Sequence, residues 1–388
     1  MKLGFARSVL VVHNISHQGR SPPDDVRRLG LPDHHQGAFY LDDPQEGACM
    51  NVLKAGIEYA TKVRVDFPNP DTLFAHTGLT LSFIHRKVIA VSPGYAWEIG
   101  TDEGGWGLAN TIRNAQGKVS GIVNGIDFNE WDPQHDKYLT GDGYQTFGLN
   151  HEGYWTGKQA CKAALQRQLG LPERHDVPIL AFIGRLDHQK GVDLILNSED
   201  FFAHNDVQVV FLGSGRGDLQ DQLMGMQERH RDKVRAWIGF SNQFAHRLTA
   251  GADILMMPSR FEPCGLNQLY AMHYGTVPVV HEVGGLRDTV RHYDGTNDGT
   301  GWKFERAEAD KFRWVLGQAV NTYFSHRDAF VGVAVRCVFP TEHTPPPCLR
   351  VPVTDTFLFS IRGMQQDLGW DHAAFEYEQK LIEAKYAH

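Results

Sequence analysis

The chain has 388 residues, 41% of them hydrophobic and 22% charged, a globular balance that excludes a disordered chain and at this length calls for two domains. The formal charge of −8 excludes a nucleic-acid binder, whose phosphate contacts need clustered Lys and Arg, and suits a neutral polymer as partner. No run reaches the roughly 20 apolar residues that span a bilayer, so no membrane partner is expected; the five scattered cysteines form no CxxC pair, so neither a disulfide framework nor a zinc site is indicated and a reducing compartment is the simpler expectation.

Residues 1–7 are too short for a signal or transit peptide. Residues 8–12 read as a strand ending in His13-Asn14, with His17-Gln18-Gly19 just beyond. Asn14-Ile15-Ser16 matches a glycosylation sequon formally, but nothing marks the chain as secreted. His34-His35 reads as a solvated loop pair, since no Asp, Glu or His spacing completes a metal site. Residues 46–60 carry helical periodicity, and 88–91 and 119–123 read as strands. Residues 64–87 hold Phe67-Pro68-Asn69-Pro70 and an apolar run without period, and fit no element. A domain boundary is expected near 155–177.

From 178 to 290 the grammar is clearer. Residues 179–183, 207–212, 234–238, 254–257 and 277–280 are short apolar runs bounded by turn residues. Helical patterns fill 216–229, 243–250, 265–274 and 285–291. Strand, loop and helix alternating at this spacing predict an α/β domain with a doubly wound parallel sheet, which binds ligands at the carboxyl ends of its strands. Residues 331–360, with Pro345-Pro346-Pro347, again fit poorly, and 371–386 predict a helix rich in Ala, Glu, Lys and Leu. The expected plan is two Rossmann-like domains, 1–155 and 156–345, inserts at 64–87 and 331–360, and a C-terminal helical segment, 361–388, packing back toward the first domain.

Four loops carry the chemistry. Gly184-Arg185-Leu186-Asp187-His188-Gln189-Lys190-Gly191 follows a buried strand and precedes a helix starting near Val192. Arg185 and Lys190 beside a helix start make a diphosphate site; the alternative on spacing alone is that Arg185 pairs with Asp187 or Asp193 and Lys190 is solvated. In the second loop, 257–266, Glu262 stands where a carboxylate can bond sugar hydroxyls or stabilise developing positive charge, or can cap a helix. There Pro263 suits a helix's first turn and Gly265 lets backbone approach a ligand. Gly284-Gly285-Leu286 opens another helix, and Gly213-Ser214-Gly215-Arg216-Gly217 closes the strand 207–212, with Asp218 where GxGxxG needs its third Gly. One glycine turn says little, but four loops at one sheet edge point to a nucleotide-diphosphate ligand. No Gly-Lys-Ser or Gly-Lys-Thr supports nucleotide hydrolysis.

Together these stretches resemble plant and algal starch synthases and, more distantly, bacterial glycogen synthases. The matching text includes Ala109-Asn110-Thr111-Ile112, residues 121–127, 181–195 and 237–291, Gly299-Thr300-Gly301-Trp302 and residues 368–374, and covers most of the chain. The resemblance implies the GT-B fold, ADP-glucose as donor, an α-1,4-glucan acceptor and retention at the anomeric carbon. It implies that Arg185 and Lys190 hold the diphosphate, that Glu262 sits by the transferred glucose, and that Cys264, Gly265 and Leu266 offer backbone N–H donors. His13 would face the sugar from the other domain, with Asn14, Gln18 and Gly19 among the substrate-binding positions. Gly239 and Phe240 would lie at the adenine, Phe240 stacking on it, and Gly213, Gly284, Gly285 and Leu286 would complete the binding set. No metal or other cofactor is expected, because two cations take the metal's role. Related retaining enzymes carry a second Glu eight positions after the first; here Tyr270 stands there, as is usual for starch synthases.

The resemblance also implies plastid residence and complexes with other starch-synthesis enzymes. Three departures stand out. No Lys-x-Gly-Gly-Leu loop precedes His13, so the first domain's sheet is expected to be incomplete, and 64–87 and 331–360 interrupt the family pattern, as retained intron translation or gene-model artefacts would, or lineage-specific surface loops. An inactive glucan-binding homologue, a UDP-glucose-using glycogen synthase relative and, on fold similarity alone, an NAD-dependent dehydrogenase remain as alternatives.

Overall fold

A computed structural model describes residues 9–43, 47–61, 87–115, 117–148, 151–295, 299–340, 364–365 and 368–386. Residues 64–86 of the first expected insert and 341–360 of the second lie outside the described residues. The chain forms two compact units, one of residues 1–124 and 371–388, the other of 125–370.

In the first unit, β1 (Val9–Val12), β5 (Lys87–Ala90) and β6 (Val119–Gly121) make a parallel sheet in that order. A second, antiparallel sheet has the order β2 (Arg20–Ser21), β4 (Gly47–Asn51), β3 (Tyr40–Asp43). It corrects the helix expected over 46–60: residues 47–51 pair with β3, and the helix α2 runs only over Val52–Thr61. The pairing outweighs local periodicity because the strand buries Met50 and Asn51. The short helices α1 (Asp33–Gln36), α3 (Pro93–Glu98) and α4 (Ala109–Asn114) complete the unit. The last helix, which we number α14 (Trp370–Tyr386), gives Ala373 and Tyr377 to a cluster with Val9, Ile89 and Ile122.

The second unit is a six-stranded parallel sheet with the order β12 (Trp302–Phe304), β11 (Val277–His281), β10 (Ile254–Met257), β7 (Ile179–Ile183), β8 (Gln208–Gly213), β9 (Val234–Ile238). Every residue of β8, β10 and β11 is buried, as a sheet covered on both faces requires. Each fully buried Val, Leu or Phe there contributes about 1.5–3 kcal/mol of burial. The covering helices are α6 (Val192–Leu196), α7 (Glu199–His204), α8 (Gly217–Arg229), α9 (Asn242–Gly251), α10 (Asn267–His273), α11 (Gly284–Thr289), α12 (Ala309–Ser325) and α13 (Arg327–Arg336).

The stretch expected to hold the domain boundary is instead mostly one helix, α5 (His151–Leu169), built into the second unit. Two buried lysines fix it there. Lys158 donates to the Thr249 and Tyr274 carbonyls and to Thr276 Oγ1. Lys162 donates to Asp253 Oδ2 at 2.7 Å and to Tyr323 Oη at 2.8 Å, and the same Asp253 oxygen accepts the Ile179 N–H that opens β7. Residues 125–148 join the same core through Trp131, Leu139, Tyr144 and Phe147, so the division falls at 124/125.

His273, on α10, is buried against Phe128 and pushed down to about 4, by burial first and against the pull of Asp132 at 3.9 Å. Unfolded, it titrates near 6.5. The unfolded chain therefore binds the extra proton, and stability falls as pH drops from about 6.5 to 4, by roughly 3 kcal/mol from this group. Denaturant unfolding at pH 7 and pH 5 checks this: His273→Gln flattens the pH slope, and an unchanged slope refutes the assignment.

Candidate active site

In this strand order the chain reverses direction between β7 and β10, the switch point where parallel sheets open a crevice beyond their carboxyl ends. The loop after β7 and the loop after β10 flank that crevice. Lys190 Nζ donates to Glu262 Oε2 across it at 2.5 Å, and Ser259 Oγ donates to the same oxygen at 3.0 Å. Glu262 is 9% exposed and Lys190 23%. Lys190 is thus paired and not solvated, while Arg185 pairs with Asp187, so the alternative read from the spacing holds for the arginine and fails for the lysine.

Arg185 takes Asp187 at 3.1 Å and Gln189 Oε1 at 2.6 Å, yet stays 65% exposed and so can be drawn off by a ligand. Asp193 belongs to Arg260, in a two-pronged pair at 2.7 Å on each side. Burial pushes the Asp193 carboxyl up, but Arg260, with His188 helping, outweighs it and holds the carboxyl below its usual range. Arg260 also donates to the His188 carbonyl, and its backbone N–H to that of Gln189, so the two loops are laced together. Gly191 makes their approach feasible: it has φ 70° and packs so tightly on the Pro258 carbonyl that a side chain would overlap it.

The remaining loops join the same set. Gly184 N–H donates to the Leu212 carbonyl, Gly239 N–H to that of Gly213, and Gly285 N–H to those of Glu262 and Pro263. Gln189 Nε2 donates to the Phe261 carbonyl at 2.9 Å and Asn267 Nδ2 to the Ile183 carbonyl at 2.8 Å. Helix α10 starts at Asn267 with Leu266 as its cap residue, so Pro263 and Cys264 lie in the loop before it, and not in a first turn. Gly265 has φ 70°, and Gly284, Gly285 and Leu286 open α11 and are buried.

Beyond β7, β8 and β9 lies a cavity of 320 Å³, bordered by Arg185, Gly213, Gly239, Phe240, Trp131 and Asn267 among others. Phe240 is 90% exposed at its rim. Trp131, Ser241, Asn242 and Asn267 also border the cavity and are not among the site positions the sequence singles out. Ser241 has a readable signal, because its hydroxyl accepts the Phe244 N–H as the cap of α9. Trp131 has none: it reaches the cavity by stacking between Tyr270 at 3.9 Å and His246 at 3.7 Å. Tyr270, in the place of a second carboxylate, supports Trp131 by stacking on it; burial raises its pKa first, with Glu130 and Asp127 adding to it.

The first unit carries its own predicted positions. His13, directly after β1, is exposed. Asn14 Oδ1 accepts from the Ser16 N–H and hydroxyl at 3.0 and 2.7 Å, closing a turn. Gln18 is 3% exposed and fully engaged: it accepts from Asn51 and Arg20 and donates to the Trp106 carbonyl. It shapes the loop from behind, while Gly19, with φ 62°, is exposed. Among the described residues no group of three His, Cys, Asp or Glu is arranged to hold a metal ion, and no helix is long and apolar enough to cross a membrane.

The family model described as starch synthase catalytic domain matches residues 2–65, and the one described as glycosyl transferases group 1 matches 166–331. Soluble starch synthase 2-1, chloroplastic/amyloplastic, of Oryza sativa subsp. japonica is 49% identical over 383 residues, 98% of this chain and 44% of that protein. Starch synthase 2, chloroplastic/amyloplastic, of Arabidopsis thaliana is 48% identical over 98% of this chain and 42% of its own length. The chain thus spans less than half the length of these relatives. The solved catalytic domain of starch synthase IV from Arabidopsis thaliana, bound to ADP and acarbose, superposes with a TM-score of 0.75 at 28% identity, covering 98% of this chain and 67% of that one. The chain belongs to the starch synthase family, and its fold is the GT-B glycosyltransferase fold.

Proposed function

We propose that this chain transfers glucose from ADP-glucose to the non-reducing end of an α-1,4-glucan, with retention at the anomeric carbon, in a plastid. The observation that carries the reading is the Lys190–Glu262 pair at the switch point, beside a cavity edged by Arg185 and Phe240. Departure of ADP builds negative charge on phosphate and positive charge on the sugar. Lys190 and Arg185 stabilise the first and the Glu262 carboxylate the second, as groups fixed in place before the reaction. Glu262 holds Lys190, so an arriving diphosphate must draw the ammonium away and leave the carboxylate facing the sugar.

Glucose incorporation from labelled ADP-glucose into glycogen tests the reading, with UDP-glucose as the competing donor. No incorporation from either donor defeats it, and a preference for UDP-glucose replaces the donor. The names of the relatives support the plastid, and stromal fractionation checks it; co-purification from stroma checks assembly with other enzymes of glucan synthesis. Phe240 is read as the platform for adenine. Phe240→Ala leaves the melting temperature unchanged, because the ring is already in water, and weakens ADP about tenfold in calorimetry, the scale of one lost base stack.

A further inference from the structure

The cavity beside β7, β8 and β9 is not the largest hollow of the second unit. At the other end of the same sheet edge, where β11 and β12 finish, lies a concavity of 920 Å³ whose lining includes Glu282, Lys303, Glu305, Glu308 and Trp314. Trp314 stands on α12. That helix buries Phe312, Val315, Leu316, Ala319, Val320 and Tyr323 along one stripe, and Trp314 falls off the stripe, 64% exposed. Its other flank faces a second hollow of 500 Å³ lined by Asp200, Phe201, Asp310 and Arg313. One exposed tryptophan is ordinary surface. A tryptophan forming the shared ridge of two hollows is a platform with room on both sides.

The charges around it say what the platform suits. Glu282, Glu305, Glu308 and Asp310 nearly balance Lys303, Arg306 and Lys311, and Lys303 Nζ pairs with Glu282 at 2.7 Å. His292, beside them, is held toward its neutral form, by burial first and then by Lys303. Such a lining offers neither an anion nor a cation a net field. It does offer what a neutral polyhydroxyl chain needs: carboxylate and guanidinium groups for paired hydroxyls, and an indole face for the C–H face of a pyranose ring.

We propose that the Trp314 ridge and its two hollows bind a neutral α-glucan chain as a second, non-catalytic site, which holds the polymer while a chain end reacts elsewhere. The proposal rests on the reading of this chain as a glucan-extending enzyme. Its test is electrophoresis of the full chain through gels with and without amylopectin. The parent chain is retarded; Trp314→Ala loses most of the retardation, about tenfold in Kd or 1.4 kcal/mol, and Trp314→Phe recovers most of it. In the transfer assay Trp314→Ala raises the KM for amylopectin and leaves kcat, the KM for maltotriose and the KM for ADP-glucose unchanged. Equal retardation of parent and Trp314→Ala overturns the site, as does a parent that is not retarded, or displacement by dextran sulfate where neutral dextrin fails. Absence of transfer to every acceptor would defeat the enzymatic reading and still leave the gel to decide the site.

Discussion

Glu262→Ala is expected to lower glucose transfer about 1,000-fold, the cost of removing one fixed stabiliser of transition-state charge. The same change is expected to tighten ADP binding. On the proposed reading, a diphosphate competes in the parent chain with the Glu262 carboxylate for Lys190, which sits 2.5 Å from it. Without the carboxylate the ammonium is free, and the ligand no longer has to break an ion pair of low exposure. Initial-rate assays with labelled ADP-glucose and calorimetry with ADP read the two effects separately. A variant that loses turnover and ADP affinity together has lost the loop and not the role, and one that keeps its turnover removes Glu262 from the chemistry. Glu262→Gln, which keeps the shape and drops the charge, follows the alanine variant in both readouts.

The second large effect is structural. Gly285→Ala puts a methyl group into the Cys264 carbonyl, at the point where the Gly285 N–H reaches the Glu262 and Pro263 carbonyls. Both partners are backbone and cannot swing aside. We expect a loss of about 3 kcal/mol, as for overpacked cores, and a melting temperature lower by roughly 8 °C. ADP binding falls with it, because the displaced backbone is the loop that carries Glu262. Gly217→Ala is the control: its added methyl meets nothing within 4 Å at the start of α8, so stability holds or rises slightly. Equal melting temperatures for Gly285→Ala and the parent would show that the loops are not packed as described.

The second unit's strands were legible because they are buried on both faces and read as unbroken apolar runs between glycines, as in Ile179–Ile183 and Ile254–Met257. The loop motifs were legible because charge and glycine are rare directly after such runs. Where local pattern and tertiary pairing disagree, the sequence misled: Gly47–Asn51 looks helical and is a strand, since only its partner Tyr40–Asp43 decides the matter. Helix α5 lies where a domain boundary was expected, and what ties it to the second unit is not local: Lys158 and Lys162 are each buried on acceptors that lie more than ninety positions away in sequence. Trp131 was invisible for the same reason, as its stacking partners come from α9 and α10. Site residues that act through their own loop can be read from sequence; those that act through a distant contact cannot.

The division of the chain has a consequence for synthesis. The second unit is one continuous stretch, 125–370, while the first is closed by α14, which comes last and packs Ala373 and Tyr377 beside Ile89 and Ile122. A ribosome therefore releases a complete second unit before the first can receive its final helix. The usual order, N-terminal domain first, is inverted here: the strands β1, β5 and β6 wait for their contacts with α14 until the intervening unit has been made.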